Sequence, residues 1–361
     1  MDQDPRRRRR HSWRAVTYHA GTLRLAVVVG ALIVAVAACS GGENAAVSTG
    51  STAGSSPSPL TRGSKSAVVS IRAARESWTL PAPVSRSVVL PDGNGFVVLG
   101  GLTSGDTSTS RIVRVDSANG DSRTAGQLAT PVHDCAGAVI GGRFVVFGGG
   151  SSSSVPLVQD WTHGSAAEAA RLPEARSDLS AATVNGTTYI VGGYTGSAMT
   201  PDVLATSDGR SFRPVARLAI PVRYAAVAGL GSTLWVLGGV TSTSEGGSTD
   251  TDAVQKVDLT SGRVTVVGKL PKPMGHATAL ILDGQIFVLG GRSATKPSAA
   301  IYRLDQASGA MVRAGRLPRA VSDAASVVVD GVGYLVGGET AGPAEPLTTV
   351  VALHPSLKQR S

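Results

Sequence analysis

Residues 270–291 read LPKPMGHATALILDGQIFVLGG, and five further stretches lie against them without a gap: residues 80–101, 128–149, 172–193, 218–239 and 317–338. Every copy opens with Leu and closes on Gly-Gly. Between those ends lie small and apolar residues, a turn pair, and three or four more apolar residues, which is the pattern of a β-hairpin. The expected turn pairs are Asp92-Gly93, Gly141-Gly142, Asn185-Gly186, Gly231-Ser232, Asp283-Gly284 and Asp330-Gly331. They suit tight hairpins because Gly, Asn and Asp tolerate the positive φ that primed turns require. The doublets begin at Gly100, Gly148, Gly192, Gly238, Gly290 and Gly337, so the unit recurs every 44–52 residues. A period near fifty with four strands per unit is the signature of a propeller blade.

Composition agrees with an all-β chain. Among 361 residues there are 45 Gly, few aromatics and many Val, Ala, Ser and Thr, with little helical periodicity to suggest an α/β enzyme. The endings FVVLGG, FVVFGG, TYIVGG, LWVLGG, IFVLGG and GYLVGG resemble those of the Kelch-repeat β-propellers, and the likeness covers roughly the last four-fifths of the chain. It implies a six-bladed β-propeller of four-stranded blades over residues 67–356, followed by a short tail at 357–361. The chain departs from the Kelch pattern where a blade usually carries an outer Trp and a preceding Tyr. Phe212, Met311, Val or Thr stand there instead, with Tyr302 a partial exception.

After each doublet come a variable loop and two more strands. Asp116, Asp258 and Asp305, each four residues before a Gly, mark the hairpins between those strands, with the Asp accepting from turn amides and the Gly supplying the left-handed residue. The third unit uses Ser207-Asp208-Gly209. After the sixth doublet only residues 347–353 remain to form a strand, so the last blade lacks its fourth. The segment 67–80, AVVSIRAARESWTL, is expected to pair beside it and close the ring, which removes exposed strand edges.

The net charge is +9, but residues 1–38 hold seven Arg against Asp2 and Asp4 and supply +5 of it. The remaining +4 is spread over a large surface without a basic, aromatic-lined stripe, which argues against nucleic acid as a partner. Arg6 to Arg10, Arg14 and Arg24 precede an uncharged apolar run that ends in VAAC at residues 36–39, the form of a signal peptide with a lipobox. The run is too short to span a bilayer. It resembles the leader of bacterial lipoproteins, which implies cleavage before Cys39, diacylglycerol on its thiol, and a mature protein anchored to the outer face of the cell membrane. Residues 39–66 then read as the lipidated Cys and a flexible Ser/Gly/Pro tether. Cys135 is the one other cysteine, so the mature chain has no intramolecular disulfide, and Cys135 reads as a small core residue.

Chemistry gathers where the chain crosses from one blade to the next. The fourth to seventh positions of the copies read PVSR, PVHD, ARSD, PVRY, PMGH and AVSD. These crossings are expected to bring Arg86, His133, Asp134, Arg176, Asp178, Arg223, Tyr224, His276 and Asp323 around the central opening, where Kelch domains commonly bind peptides or sugars. Such groups either pair with one another or bind a ligand. The sequence is read as a binding module for an envelope protein or glycan, with no cofactor and no catalytic residue assigned. The alternative is a carbohydrate-active enzyme, resembling a sialic-acid epimerase or a sialidase, that uses the charged mouth, because carboxylates and Arg near one opening suit sugar chemistry; residues 207–212, SDGRSF, also resemble a sialidase Asp-box turn, a string that a hairpin alone accounts for. No metal site is expected: the six His show neither HxH nor HExxH spacing, and Glu245, Asp250 and Asp252 lack a calcium-loop pattern.

Overall fold

The computed structural model describes residues 68–162, 164–341 and 345–357. The leader, Cys39, the tether and residues 358–361 lie outside the described residues. Among the described residues every regular element is a strand, and the strands form a propeller-like ring of small antiparallel sheets.

Val88–Asp92, Gly95–Leu99, Arg111–Asp116 and Ser122–Gln127 make one four-stranded meander. Three more follow in chain order, opening with the strands Ala136–Ile140, Ser180–Val184 and Ala226–Leu230. The rest of the chain forms an eight-stranded sheet. One half is the meander from Gly275–Leu282 to Met311–Val321; the other holds Ala325–Val329, Val332–Val336, Leu347–Leu357 and the N-terminal strand Val68–Val84. A short parallel pairing, Ile71 with Gly315 and Arg72 with Arg316, joins the halves. The N-terminal strand lies antiparallel to Leu347–Leu357, from Ser70 opposite Ser356 to Val84 opposite Leu347.

All six hairpin loops fall at the same two positions of the gap-free alignment. In the first copy the two-residue loop is Gly93-Asn94, since Asp92 pairs with Gly95, so the expected Asp92-Gly93 is shifted by one residue. Four loops have both residues at positive φ, as in Asn185 (49°) and Gly186 (75°), whereas Gly93-Asn94 and Gly231-Ser232 have only the first. Those are the demands of type I′ and type II′ turns, and Gly stands first in both II′ cases.

The strand before each doublet is buried on both faces, so its alternate residues enter different cores. Phe96 and Val98 pack toward the sixth copy, Val97 and Leu99 toward the second. Six such clusters join successive copies, and the last joins the sixth copy back to the first. Each opening Leu is sealed in, between 1% and 5% exposed, and burying a Leu side chain contributes about 1.5–3 kcal/mol.

The Gly-Gly doublet is the seam between copies. A Cβ on Gly192 would stand 2.2 Å from the carbonyl oxygen of Val222, and Gly193, at φ 105°, donates its N–H to that same oxygen at 2.9 Å. Gly101, Gly149, Gly239 and Gly338 make the same bond to Val132, Arg176, Met274 and Val84. Only glycine permits so close an approach at so positive a φ.

Candidate functional site

The seventh residue of each copy forms a hub. Arg86, Asp134, Asp178, Tyr224, His276 and Asp323 are all left-handed, with φ between 51° and 59°. Each backbone N–H donates to the carbonyl of the equivalent residue one copy earlier, and Arg86 donates to Asp323, so the six bonds of 2.8–3.1 Å close a circle. The residue before each crosses to the residue after its own doublet, as Ser85 does to Leu102, His133 to Gly150 and Ser322 to Glu339. The backbone at this opening is therefore tied both around the circle and along each sheet.

Below the hub runs a central channel of about 220 Å³. Its walls are the inner strands, lined by small residues such as Ala181, Ala277 and Ala325, and the six hub residues line its mouth. Wall hydroxyls are already engaged: Thr278 Oγ1 and Ser326 Oγ are 2.7 Å apart, and Ser180 Oγ donates to Ala225 O at 2.7 Å.

The side chains interlock. Arg86 meets three carboxylates: Nε lies 2.8 Å from Glu339 Oε1 and 3.7 Å from Asp323 Oδ1, and Nη1 lies 3.1 Å from Asp134 Oδ2. Glu339, wholly buried, also accepts from Ser85 Oγ at 2.8 Å. Tyr224 donates its hydroxyl to Asp134 Oδ2 at 3.1 Å and stacks on His276 with ring centroids 3.8 Å apart. His276 Nδ1 is 2.6 Å from Asp323 Oδ1, and its Nε2 is 2.8 Å from Arg292 Nη2. Both bonds form only when Nδ1–H donates and Nε2 accepts. Arg223 pairs with Asp178 at 3.0 Å and covers the rings of Tyr194 and Tyr224.

Two of the carboxyls around this guanidinium are driven in opposite directions. Burial pushes Asp134 up to about 8; Arg86 works against that shift, while Asp178 and Asp323 reinforce it. Burial acts on Asp323 too, but His276 and Arg86 outweigh it and hold its carboxyl below the usual range. Tyr224 is raised by burial and by Asp134 and Asp178, which keeps its hydroxyl a donor. Two carboxyls at one opening thus differ in protonation at neutral pH.

The nine residues picked from sequence part company here. Six are hub or mouth residues. His133 and Arg223 sit one position earlier, on the rim; His133 Nδ1 is 2.8 Å from Ser108 Oγ, and burial and Arg86 lower its pKa. Arg176, 1% exposed, takes the fifth position, where the other copies have Val84, Val132, Val222, Met274 and Val321. Its guanidinium lies within 3.4 Å of the carbonyl oxygens of Gly192 and Asp202, and burial lowers its pKa. Glu339, Arg292 and Tyr194 were missed; each follows a doublet, in a column whose other members are Leu102, Gly150 and Val240.

Cys135 is half-buried on the channel wall, and burial pushes its thiol up to about 12, which leaves it a poor nucleophile. Asp208 Oδ1 accepts from the amides of Arg210 and Ser211 at 2.8 Å, but Asp258 and Asp305 make the same pair of bonds in their own turns. The Asp-box-like string is therefore this fold's ordinary hairpin. Among the described residues no group of three His, Cys, Asp or Glu is placed to hold a metal ion.

No protein-family model and no curated protein matches the sequence. Among solved structures the chain is similar to that of YjhT, at 18% identity and a TM-score of 0.62 over 77% of this chain and 96% of that one, a likeness of fold.

Proposed function

We propose that the chain is a lipoprotein whose residues 67–356 form a six-bladed, Kelch-like propeller, closed by its N-terminal strand and held outside the cell membrane by a lipid on Cys39 and the tether 39–66. Residues 1–38 are its signal peptide and 357–361 its tail. It works as a binding module for an envelope protein or glycan, recognised at the hub mouth. The count of six rests on the six left-handed hub residues, each hydrogen-bonded to the next.

The observation that carries the binding role is the mouth itself. A rigid backbone circle presents Arg, Asp, Tyr and His side chains over an open channel, which is the pre-organised concave arrangement a ligand site needs. The test passes envelope extract over the immobilised full-length protein and over its Arg223→Ala and Arg292→Ala variants. The expected result is a component that the parent retains and the variants release. Retention that is the same on all three removes the mouth as the site. Acyl labelling of the mature parent, absent from Cys39→Ala, tests the anchor.

A second function draws on Asp134 and Asp323, which flank one guanidinium at 3.1 Å from Arg86 Nη1 and 3.7 Å from its Nε, burial raising the first carboxyl and His276 and Arg86 lowering the second, as a general acid and its ionised partner need. A carbohydrate-active enzyme would lose turnover in Asp134→Asn while still binding its sugar. A binding module has no turnover to lose.

A further inference from the structure

The fold gathers basic residues that the sequence keeps far apart. Arg72 and Arg75 lie on the N-terminal strand Val68–Val84, and Arg313, Arg316 and Arg319 on Met311–Val321; all five are exposed. The two strands hold a single acid, Glu76. In the parallel pairing that joins the halves of the eight-stranded sheet, Arg72 is the direct neighbour of Arg316. Paired strands lie about 4.8 Å apart and paired residues point to one face, so these two arginines leave the sheet together. Arg313 shares that face, because it pairs with Tyr302 and Arg316 pairs with Ala300, two residues away on the same strand. Arg75 and Arg319 line a cavity of about 330 Å³ whose other walls include Leu317, Val321, Leu335 and Val351.

This charge is unanswered where its equivalents are answered. The residue before the opening Leu is basic in four copies. Arg171, Arg217 and Lys269 each reach a carboxylate, Glu168 at 2.8 Å, Asp202 at 2.7 Å and Asp252 at 3.4 Å. Arg316 holds that place in the sixth copy and faces Arg72 instead. Among the described residues none of the five arginines forms an ion pair; Arg313 Nε donates to Gly315 O at 2.7 Å, and its guanidinium covers Tyr302. Like charges directly opposite one another destabilise a sheet. A link of only two residue pairs that carries such a cost points to a partner supplying the missing negative charge.

The chain itself says what lies nearby. The first strand begins at Val68, four residues before Arg72, which is about 13 Å of extended chain. The stretch 39–66 precedes it, and a Ser/Gly-rich coil of that length spans about 30 Å. A lipid on Cys39 would therefore hold this edge at a high local concentration of headgroup phosphates, to which guanidinium binds in bidentate fashion. Resting on the proposed anchor, we infer that the seam between Val68–Val84 and Met311–Val321 is the propeller's membrane-facing surface, its five arginines binding the phosphates of anionic phospholipids. Each arginine near such a surface strengthens attachment roughly fivefold. The tether holds the propeller near the bilayer, and the arginines choose the edge that rests on it.

The test uses the full-length protein, purified in detergent and reconstituted on vesicles of phosphatidylcholine or of phosphatidylcholine mixed with phosphatidylglycerol, and reads amide hydrogen exchange by mass spectrometry. On the anionic vesicles exchange slows by about tenfold or more in peptides covering residues 68–80 and 311–321, relative to detergent and to neutral vesicles. The slowing disappears at about 1 M salt, where the screening length is about 3 Å. Arg72→Gln combined with Arg316→Gln removes two charges and roughly thirtyfold of the attachment, so the slowing falls below about twofold. The same double variant unfolds in urea at no lower concentration than the parent, because the opposed charges are gone, and this separates lost attachment from a damaged seam. The inference is overturned if neither peptide slows on anionic vesicles, if neutral vesicles slow them equally, or if the double variant is less stable than the parent, which gives the pair to the fold. Slow exchange already present in detergent that quickens on dilution also overturns it, by making a second copy of the chain the partner. Acyl labelling of Cys39 is scored separately. Slowing in a protein without the acyl group discards the anchor alone, and an acylated protein without slowing discards the seam alone.

Discussion

Glu339→Gln tests whether Arg86 belongs to the architecture or to a ligand. Glu339 is fully buried and accepts from Ser85 Oγ at 2.8 Å and from Arg86 Nε and Nη2 at 2.8 and 3.5 Å. The amide keeps the shape but offers one acceptor oxygen in place of two and no charge. Hydrogen bonds to charged groups contribute about 1.5–3 kcal/mol and neutral ones about 0.5–1.5 kcal/mol. Losing one Arg86 bond and weakening the other should cost about 2–3 kcal/mol, below the roughly 3–5 kcal/mol of a buried pair broken outright. At about 2 °C per kcal/mol for a domain of this size, that is a fall in Tm of about 4–6 °C. Urea unfolding of the parent, Glu339→Gln, Arg86→Met and the double variant measures it. The Gln change should cost at least about 1 kcal/mol less in the Arg86→Met background, since their bond is already gone. A Glu339→Gln protein within about 0.5 kcal/mol of the parent, or a cost that is equal in both backgrounds, would refute the claim that Arg86 is held for structure.

Three further outcomes follow from the same geometry. Asp134 has a folded pKa of about 8 against an ordinary 3.8, so the fold favours its neutral form: its contribution is full below about pH 4 and is lost as pH rises toward 8. Unfolding free energies should therefore show the parent falling relative to Asp134→Asn across that window, and a difference that stays flat or grows with pH would reject the assignment. Gln255, fully buried, stands in for a strand by accepting from Ile220 N at 3.0 Å and donating to Ile220 O at 2.9 Å. Gln255→Leu strands both backbone groups and should cost about 2–4 kcal/mol in urea unfolding, whereas a cost under about 1 kcal/mol would mean that water replaces the amide. A chain beginning after Leu80 loses the partner of Leu347–Leu357 and exposes a strand edge, so it should aggregate or melt without cooperativity; an unchanged melting curve would deny the strand its closing role.

The fold was legible because the constraints that define it repeat. Leu, turn pair and Gly-Gly each answer to a local demand: a sealed wedge between sheets, positive φ in a two-residue loop, and a carbonyl too close for any Cβ. Copying those demands at a fixed period writes them into the sequence as columns. Asp92-Gly93 has the residue types of a turn, but the column of the other five turns falls on Gly93-Asn94. Asp92 looks like a turn residue, yet it pairs with Gly95 as the last residue of its strand. The eight-stranded sheet was not legible, because its link is a parallel pairing of two residues that no periodicity marks.

The site was legible only in part, and three arginines show why. Arg176, Arg223 and Arg86 occupy the fifth, sixth and seventh positions of their copies, which a reading of the crossing as one loop treats alike. The left-handed seventh residue makes them different. The chain reverses there, so the seventh side chain faces the opening and the sixth residue crosses to the post-doublet position. The fifth residue's carbonyl takes the doublet's N–H while its side chain goes into the wedge between sheets. Five apolar residues in the fifth column already said that Arg176 was a core residue with a charge to hide. Glu339 and Arg292 had no such column to speak for them, because Leu, Gly, Tyr, Val, Arg and Glu share no chemistry. That lack of pattern is itself informative. Positions that the backbone fixes but packing does not are free to differ from copy to copy, so the hub and post-doublet columns hold unlike side chains while the Leu, turn and Gly-Gly columns keep the ring intact.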